Sequence, residues 1–527
     1  MQKFSKYLLI SAVYSLLYNL PIIFLRNSMT DSLNFKIVPE FILATFISLL
    51  SFYLIHLLLR KRIGNSLIFI LFIIGGLSSY AVINYGKFID SGLIIDVLTV
   101  DTTLSAEFAS PFIALYVILS MLIAWFVMRT PKIAGNKQEK KSQKPLIYAS
   151  IFLFLISFAY TGFNFHTLRY MTKDYMPTSI FYNVSYFFFK YLPHFKKIQS
   201  KNDLTKSHTF SYETQQEEPL IVVLVIGESM RGDILSINGY QGHVNTPLLS
   251  QVGNLVSFIN ATSSATSTRI SIPYMLTSAV PPNFNQALTE KSLISIFKSM
   301  GFTTSWIGNQ GAFGFYETTY ASNILESDFH MIQDDLRKSF KLNKLDVFDG
   351  HILPILDNRL KEVKGNHFIV LHFLGSHWNF KSRYPESFGH KFMPICDASS
   401  EGQCSPESLK NLYHNTIAYS DHVLNEVISK LENKNAFMIY ASDHGYSLGE
   451  RNLFGNAYAL PNVPREQISI GMFSWTSNKF LKIYPQVAQK ILEKKSSDVS
   501  HDYIFHSLLD CIGVKSDYTK PNLSLCN

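Results

Sequence analysis

Cysteine and charge are both scarce in this chain. Its 527 residues include 4 cysteines, and 16% are charged against 47% hydrophobic. So little charge excludes an ordinary soluble protein over the whole length. No cysteine precedes Cys396 and no CxxC spacing occurs, which argues against a thiolate metal site. There is no basic stripe and no aromatic-basic motif, so the net charge of +8 does not point to nucleic acid. No internal repeat is present. The charge deficit is concentrated in the first third, so the chain divides into a membrane half and a soluble half.

Five apolar stretches carry the deficit: Tyr7–Leu25, Phe41–Leu59, Ser66–Gly86, Pro111–Met128 and Pro145–Phe163. Each is about 18–21 residues, enough to cross a ~30 Å hydrocarbon core. No small-residue cleavage site follows the first, which therefore reads as an anchor. Lys3 and Lys6 precede it; Arg60, Lys61 and Arg62 follow the second; Arg129, Lys132, Lys137, Lys140, Lys141 and Lys144 follow the fourth. The opposite loops hold Asp90, Asp96, Asp101 and Glu107. The positive-inside rule puts the N-terminus in the cytoplasm and everything beyond residue 163 outside.

Phe181–Phe189 is aromatic but short and bracketed by Pro177 and Pro193, so it is expected to lie in the interface rather than span it. The polar stretch Lys196–Glu218 reads as a flexible connection. The expected domains are thus 1–163 in the membrane, 164–218 interfacial and linking, and 219–527 catalytic. All four cysteines, Cys396, Cys404, Cys511 and Cys526, fall in the last of these. They allow three pairings; the local one is simplest and suits an oxidising periplasm.

In the outer domain, apolar runs end in polar residues. Ile221–Ile226 leads to Gly227-Glu228-Ser229, Thr303–Ile307 to Gly308-Asn309-Gln310, Phe368–Leu374 to Gly375-Ser376-His377, and Phe437–Ala441 to Ser442-Asp443-His444-Gly445. Continuous apolar runs suit strands covered on both faces, and Ser292–Ser299 and Leu409–Leu431 read as helices between them, an α/β pattern. Ligand sites in such sheets lie beyond the carboxyl ends of the strands. Carboxylate and imidazole side chains gathered there suit zinc, and Gly445 would allow the turn that lets the adjacent Asp443 and His444 reach one ion. The segment Thr262–Pro273 is dense in hydroxyls. It is either a polar surface loop or the source of a metal-activated nucleophile, and the pattern alone does not choose which hydroxyl.

Four segments resemble one family. Gly227-Glu228-Ser229-Met230-Arg231-Gly232-Asp233 with Leu235–Tyr240, Thr266-Ser267-Thr268 with Ser271-Ile272-Pro273, the run from His372 to His377, and the run from Ser442 to Glu450 are similar to motifs of bacterial phosphoethanolamine transferases. These include lipid A-modifying and mobile colistin-resistance enzymes. The five spans resemble theirs too, so the likeness covers essentially the whole chain. It implies an N-terminal five-helix transmembrane domain plus a periplasmic α/β domain of alkaline-phosphatase/sulfatase type. It also implies Zn2+ held by Glu228, Thr266, Asp443 and His444, with Thr266 as nucleophile and Thr268 as second candidate. His377 would act at the phosphoryl group or leaving oxygen, and Asn309 would bind substrate. Asn456 stands where the family usually has a histidine, and is expected at the substrate. Ser264 and Tyr274 stand where a family disulfide often brackets the nucleophile loop, and the lysine some relatives carry after Asn309 is missing; Cys396 and Cys404 do fit a family disulfide.

The implied reaction moves phosphoethanolamine from phosphatidylethanolamine to lipid A or lipopolysaccharide core. The alternatives are phosphoglycerol transfer, or phosphoethanolamine transfer to another envelope glycan. Ester hydrolysis fits a five-span enzyme less well, and no CxPxR-type sulfatase activation motif occurs. The expected protein is a membrane-embedded monomer of the bacterial inner membrane with its catalytic domain in the periplasm. An alkaline-phosphatase reporter fused after Lys201 should be active and one fused within Gly135–Lys144 silent; the opposite pattern would overturn this topology.

Overall fold

The computed structural model describes residues 2–28, 37–85, 111–129, 148, 151–157, 173, 175–186, 188–189 and 201–527, apart from 214–217, 312–317, 344–345, 399–400 and 458–462. Among these, four helices are long and apolar enough to cross a membrane: Lys6–Leu25, Ile37–Leu58, Lys61–Asn84 and Phe112–Arg129. The first comprises α1 (Gln2–Tyr14) and α2 (Leu20–Ser28), joined by a π-helical turn at Ser15–Asn19; α3 (Ile37–Leu58), α4 (Lys61–Tyr85) and α5 (Pro111–Arg129) follow. The expected fifth span, Pro145–Phe163, lies mostly outside the described residues; of it, 151–157 is helical. Aromatic edges lock the bundle, with Tyr14 against Phe52 at 5.1 Å and Phe72 at 5.0 Å.

The helix α6 (Thr178–Tyr186) has 9 residues, too few to span a bilayer. The chain just before it is pinned into the bundle. Asn19 Nδ2 donates to the Met176 carbonyl at 3.0 Å and Asn19 Oδ1 accepts from the Met176 N–H at 2.8 Å. Ser48 Oγ donates to the same carbonyl at 3.1 Å, and Tyr175 Oη donates to Glu40 Oε2 at 2.8 Å. An apolar bundle can bury a peptide group only when its donor and acceptor are both satisfied, and Asn19 supplies both partners from one side chain.

The outer half is built on a seven-stranded sheet. In chain order its strands are β1 (Leu220–Gly227), β2 (Leu255–Ser257), β3 (Thr303–Gly308), β4 (Phe329–Met331), β5 (His367–His372), β6 (Asn435–Ser442) and, after a short hairpin of β7 (Ser447–Leu448) and β8 (Phe454–Gly455), β9 (Met472–Thr476). Their spatial order is β2-β9-β6-β1-β5-β3-β4, with β9 antiparallel to both its neighbours. The centre is parallel and fully buried. Alternate residues of β1 enter different cores: Leu220, Val222, Leu224 and Ile226 one, Ile221, Val223 and Val225 the other. A period of two with both sets apolar is what a sheet covered on both faces requires. The two helices read from the sequence form as Leu293–Ser299 and Pro406–Leu431, capped by Ser292 and Ser405.

Two features depart from expectation. The stretch read as a flexible connection is packed over its described part: Leu204 lies in the same core as Leu220, and Phe210–Ser211 pairs with Lys515–Ser516. Its few apolar residues suffice because they are placed against a ready core. The halves also touch directly. Leu453, between β7 and β8, is 1% exposed and belongs to the membrane-bundle core with Tyr14, Ile22 and Phe72. The turn Glu401–Gln403 lies on α4, where a Cβ at Gly402 would come 2.8 Å from the Asn84 carbonyl. Both expected local disulfides are present, Cys396–Cys404 and Cys511–Cys526.

Replacing Asn19 with Leu leaves the buried Met176 peptide without two partners. The expected cost is about 1–3 kcal/mol, read as a lower thermal midpoint of the detergent-solubilised chain. An unchanged midpoint would show that the pin carries no stability.

Candidate active site

Strands β1 and β6 are parallel neighbours with Gly227 opposite Ser442, so Glu228 and Asp443 leave the sheet side by side. The Asp443 N–H donates to the Gly227 carbonyl at 3.0 Å and fixes the offset. His444 follows at once. The three side chains are buried, and one potential ligand atom from each lies within 4.8 Å of the others. His444 Nε2 is 3.3 Å from Glu228 Oε1 and 3.3 Å from Asp443 Oδ2. The turn needs Gly445 because of crowding: a Cβ there would lie 2.2 Å from the Glu466 carbonyl oxygen.

The surroundings set each group's state. His444 Nδ1 faces the Gly445 carbonyl at 2.8 Å, and a carbonyl only accepts. The neutral ring therefore keeps its proton on Nδ1 and turns the Nε2 lone pair toward the carboxylates, the arrangement of a metal-ligating imidazole. Asp443 Oδ1 accepts from the N–H groups of Ser229 at 3.0 Å and His444 at 2.8 Å. Asp443 Oδ2 is buried with no hydrogen-bond partner. Burial and the Glu228 charge push the Asp443 carboxyl well above the usual carboxylate range. Burial works against a charged Glu228 too, but positive charge at His444 and His377, with hydrogen bonds from Ser229 and Gln310, holds it below that range, and with the His444 ring neutral a bound cation would take that charge's place. Two buried carboxylates, one with an orphaned oxygen, and a ring lone pair aimed between them form a donor set that a divalent cation would complete.

The hydroxyl at this trio belongs to Thr268. It is 4% exposed, its Oγ1 donates to Glu228 Oε2 at 3.1 Å, and it lies 3.3 Å from His444 Nε2. The structure does not bring the Thr266 hydroxyl to the trio, contrary to the expectation for that residue. Ser267 is extended, and the helix α7 (Thr268–Leu276) begins one residue later, so the chain turns inward at Thr268. Thr266 instead uses its carbonyl to accept from the Ala457 N–H at 2.7 Å. Thr268 also sits at the positive end of the α7 dipole, which favours negative charge on its oxygen.

The other expected residues separate. Asn456 reaches the site, with Nδ2 2.8 Å from His444 Nε2. His377 lies near enough for its charge to depress Glu228, and its loop is held by Arg383 Nε donating to the His377 carbonyl at 2.9 Å. Asn309 is engaged elsewhere: Nδ2 donates to the Val347 carbonyl at 3.1 Å and Asp349 Oδ1 at 3.0 Å. Asp349 in turn accepts from the N–H groups of Leu374 at 2.8 Å and Gly375 at 2.9 Å, so Asn309 shapes the His377 turn from behind. Its neighbour Gln310, not singled out from the sequence, donates to Glu228 Oε2 at 2.9 Å and the Phe373 carbonyl at 3.0 Å. The only signal for Gln310 was its place in the polar tail of β3.

Two strand ends of the sheet supply the acid and imidazole groups of this site, and the start of α7 supplies its hydroxyl. The family model described as sulfatase matches residues 221–514, and the chain belongs to that family. A second model, described as phosphoethanolamine transferase EptA/EptB, matches residues 47–191 in the membrane half, so the likeness to sulfatase-like phosphoethanolamine transferases covers both halves. It is 27% identical to phosphoethanolamine transferase EptA of Salmonella typhimurium over 523 residues, 95% of this chain and 90% of that one. Its fold matches the integral membrane lipooligosaccharide phosphoethanolamine transferase A of Neisseria meningitidis with a TM-score of 0.81, at 22% identity over 99% of this chain and 98% of that one. The C-terminal periplasmic domain of EcEptC from Escherichia coli, solved in complex with Zn, matches with a TM-score of 0.52 at 28% identity, over 60% of this chain and 89% of that one.

Gln310 and Asn309 should separate on mutation. Gln310→Ala frees Glu228 and should weaken metal retention about 10-fold, whereas Asn309→Ala should keep the metal while the His377 turn loosens. Metal content after extensive dialysis checks both; equal losses would contradict the division.

Proposed function

We propose that this chain transfers phosphoethanolamine from phosphatidylethanolamine to a lipid A or lipopolysaccharide-core acceptor, with Thr268 as the covalent carrier and zinc as the metal. The observation that carries the reading is the Thr268 hydroxyl lying against both Glu228 and His444. Glu228, Asp443, His444 and Thr268 would hold zinc; the oxygen and nitrogen donors suit it, and the EcEptC domain was solved with Zn. Zinc bound there would offset the two carboxylate charges and make a threonine hydroxyl acidic enough to react near neutral pH.

The chain's own groups do the rest. Thr268 Oγ1 attacks the phosphorus of the donor, its proton passing to Glu228 Oε2, which already accepts from it. The bond from phosphorus to the glyceryl oxygen breaks, His377 supplies the proton, and diacylglycerol leaves. An acceptor oxygen on the glycolipid then attacks the Thr268 phosphodiester, giving its proton to His377; the bond from phosphorus to Thr268 Oγ1 breaks, and the threonine recovers its proton from Glu228. The Nδ2 group of Asn456 donates to His444 Nε2, and its second N–H is left to bind a phosphoryl oxygen; an amide cannot shuttle a proton, so protonation of the leaving oxygen falls to His377. A donor that is a lipid explains why a membrane half is joined to the site. The reading places residues 219–527 in the periplasm at the face of the inner membrane.

Incubation with phosphatidylethanolamine and no acceptor should leave a phosphoethanolamine adduct on the peptide that contains Thr268. Thr268→Ala should lose the adduct and lower transfer by roughly 10³-fold or more, while Thr266→Ala keeps both. An adduct mapped by fragmentation to Thr266 would overturn the assignment.

A further inference from the structure

We infer that His501 is a positioning residue, which clamps the loop carrying Thr268 to the strand end carrying Asp443 and His444. His501 is fully buried and lies outside the metal trio. Its Nε2 faces the Ser442 carbonyl at 2.9 Å and must donate, because a carbonyl cannot. A neutral ring then has one lone pair left, on Nδ1, and that accepts from the Ser264 N–H at 3.2 Å. Each nitrogen therefore has one partner of the right kind, and the two partners come from different elements. Ser442 is the residue before Asp443; Ser264 lies four residues before Thr268.

The backbone prepares this bridge. Asp498–Ser500 pairs in parallel with Asn260–Thr262, with Ser500 opposite Thr262, so His501 leaves the pairing one residue on and Ser264 two residues on, within reach of each other. The Ser264 Oγ adds a second tie by donating to Asp502 Oδ1 at 3.1 Å. The Ser263 N–H is held by the Ile468 carbonyl at 2.8 Å. Beyond Ser264 the loop is extended at Ser267, and only then does α7 begin. The imidazole is thus a rigid spacer between the two segments that must bring an oxygen and its partners together. Loss of such a spacer leaves Glu228, Asp443 and His444 in place but lets the Thr268 hydroxyl drift, and a displacement of ~1 Å can slow a reaction about 10²-fold.

The proposal rests on the reading of Thr268 as the carrier, so its test has one arm that does not depend on turnover. Full-length His501→Leu and His501→Gln would be compared with the parent in detergent. The leucine removes donor and acceptor; the glutamine amide retains one of each. In His501→Leu, deuterium exchange at the peptide containing Ser264 should speed up about 10-fold, metal content should stay that of the parent, and adduct formation should slow about 10²-fold in kcat with little change in KM. His501→Gln should recover most of both exchange protection and rate. Parental exchange and rate in His501→Leu would overturn the clamp. So would equal damage in the two variants together with loss of metal, which would mean a general collapse of the site. Should the parent itself form no adduct, the transfer reading fails, and the exchange comparison still decides the clamp.

Discussion

Two carboxylates with 0–1% exposure, side by side beneath an imidazole, are the constraint on which this structure turns. Like charges buried together are unfavourable unless a positive charge joins them, and the rest of the outer half holds them in place. The β1 and β6 strands are paired along their full lengths, with both faces buried, so their ends cannot splay. Ser229 is fixed at φ 57, an uncommon conformation for a residue with a side chain, with its N–H on Asp443 and its hydroxyl on Glu228 at 2.6 Å. Behind the trio, the His377 turn passes so close that a Cβ at Gly375, which has φ 46, would lie 2.8 Å from the Glu228 carbonyl oxygen. Rigid framing of a charge-rich centre is electrostatic preorganisation, the arrangement that phosphoryl transfer rewards.

What the sequence disclosed follows from which signals are local. The central strands were legible because a strand covered on both faces must be continuously apolar, and Glu228, Asp443 and His444 because they come straight after such runs. The short strands Leu255–Ser257 and Phe329–Met331 were not, since three residues carry no usable period. The hydroxyl that lies at the trio is two residues from the one singled out in the sequence, for a comparable reason. Nothing in Thr266-Ser267-Thr268 marks where α7 starts: Ser267 makes no side-chain cap, and Pro273 inside the helix reads as a breaker. Asn309 and Gln310 are adjacent polar residues at one strand end, and their separate tasks are set by Asp349 and Glu228, distant in sequence. The packing of Leu204 was hidden because a single leucine in a polar stretch has no pattern.

The hairpin of β7 and β8 has a consequence for how the two halves work together. Its base holds Asn456 beside His444, and its tip, through Leu453, is part of the interior of the membrane bundle. Glu450 in the turn is also tied to Arg231 Nη1 at 2.6 Å, and Arg231 follows the Glu228 strand end by three residues. The outer half therefore does not swing on a tether like a domain at the end of a string. The Thr268 hydroxyl stands at a fixed height above the apolar bundle. Any group that rises from the bundle side meets the trio at a depth the protein has already set.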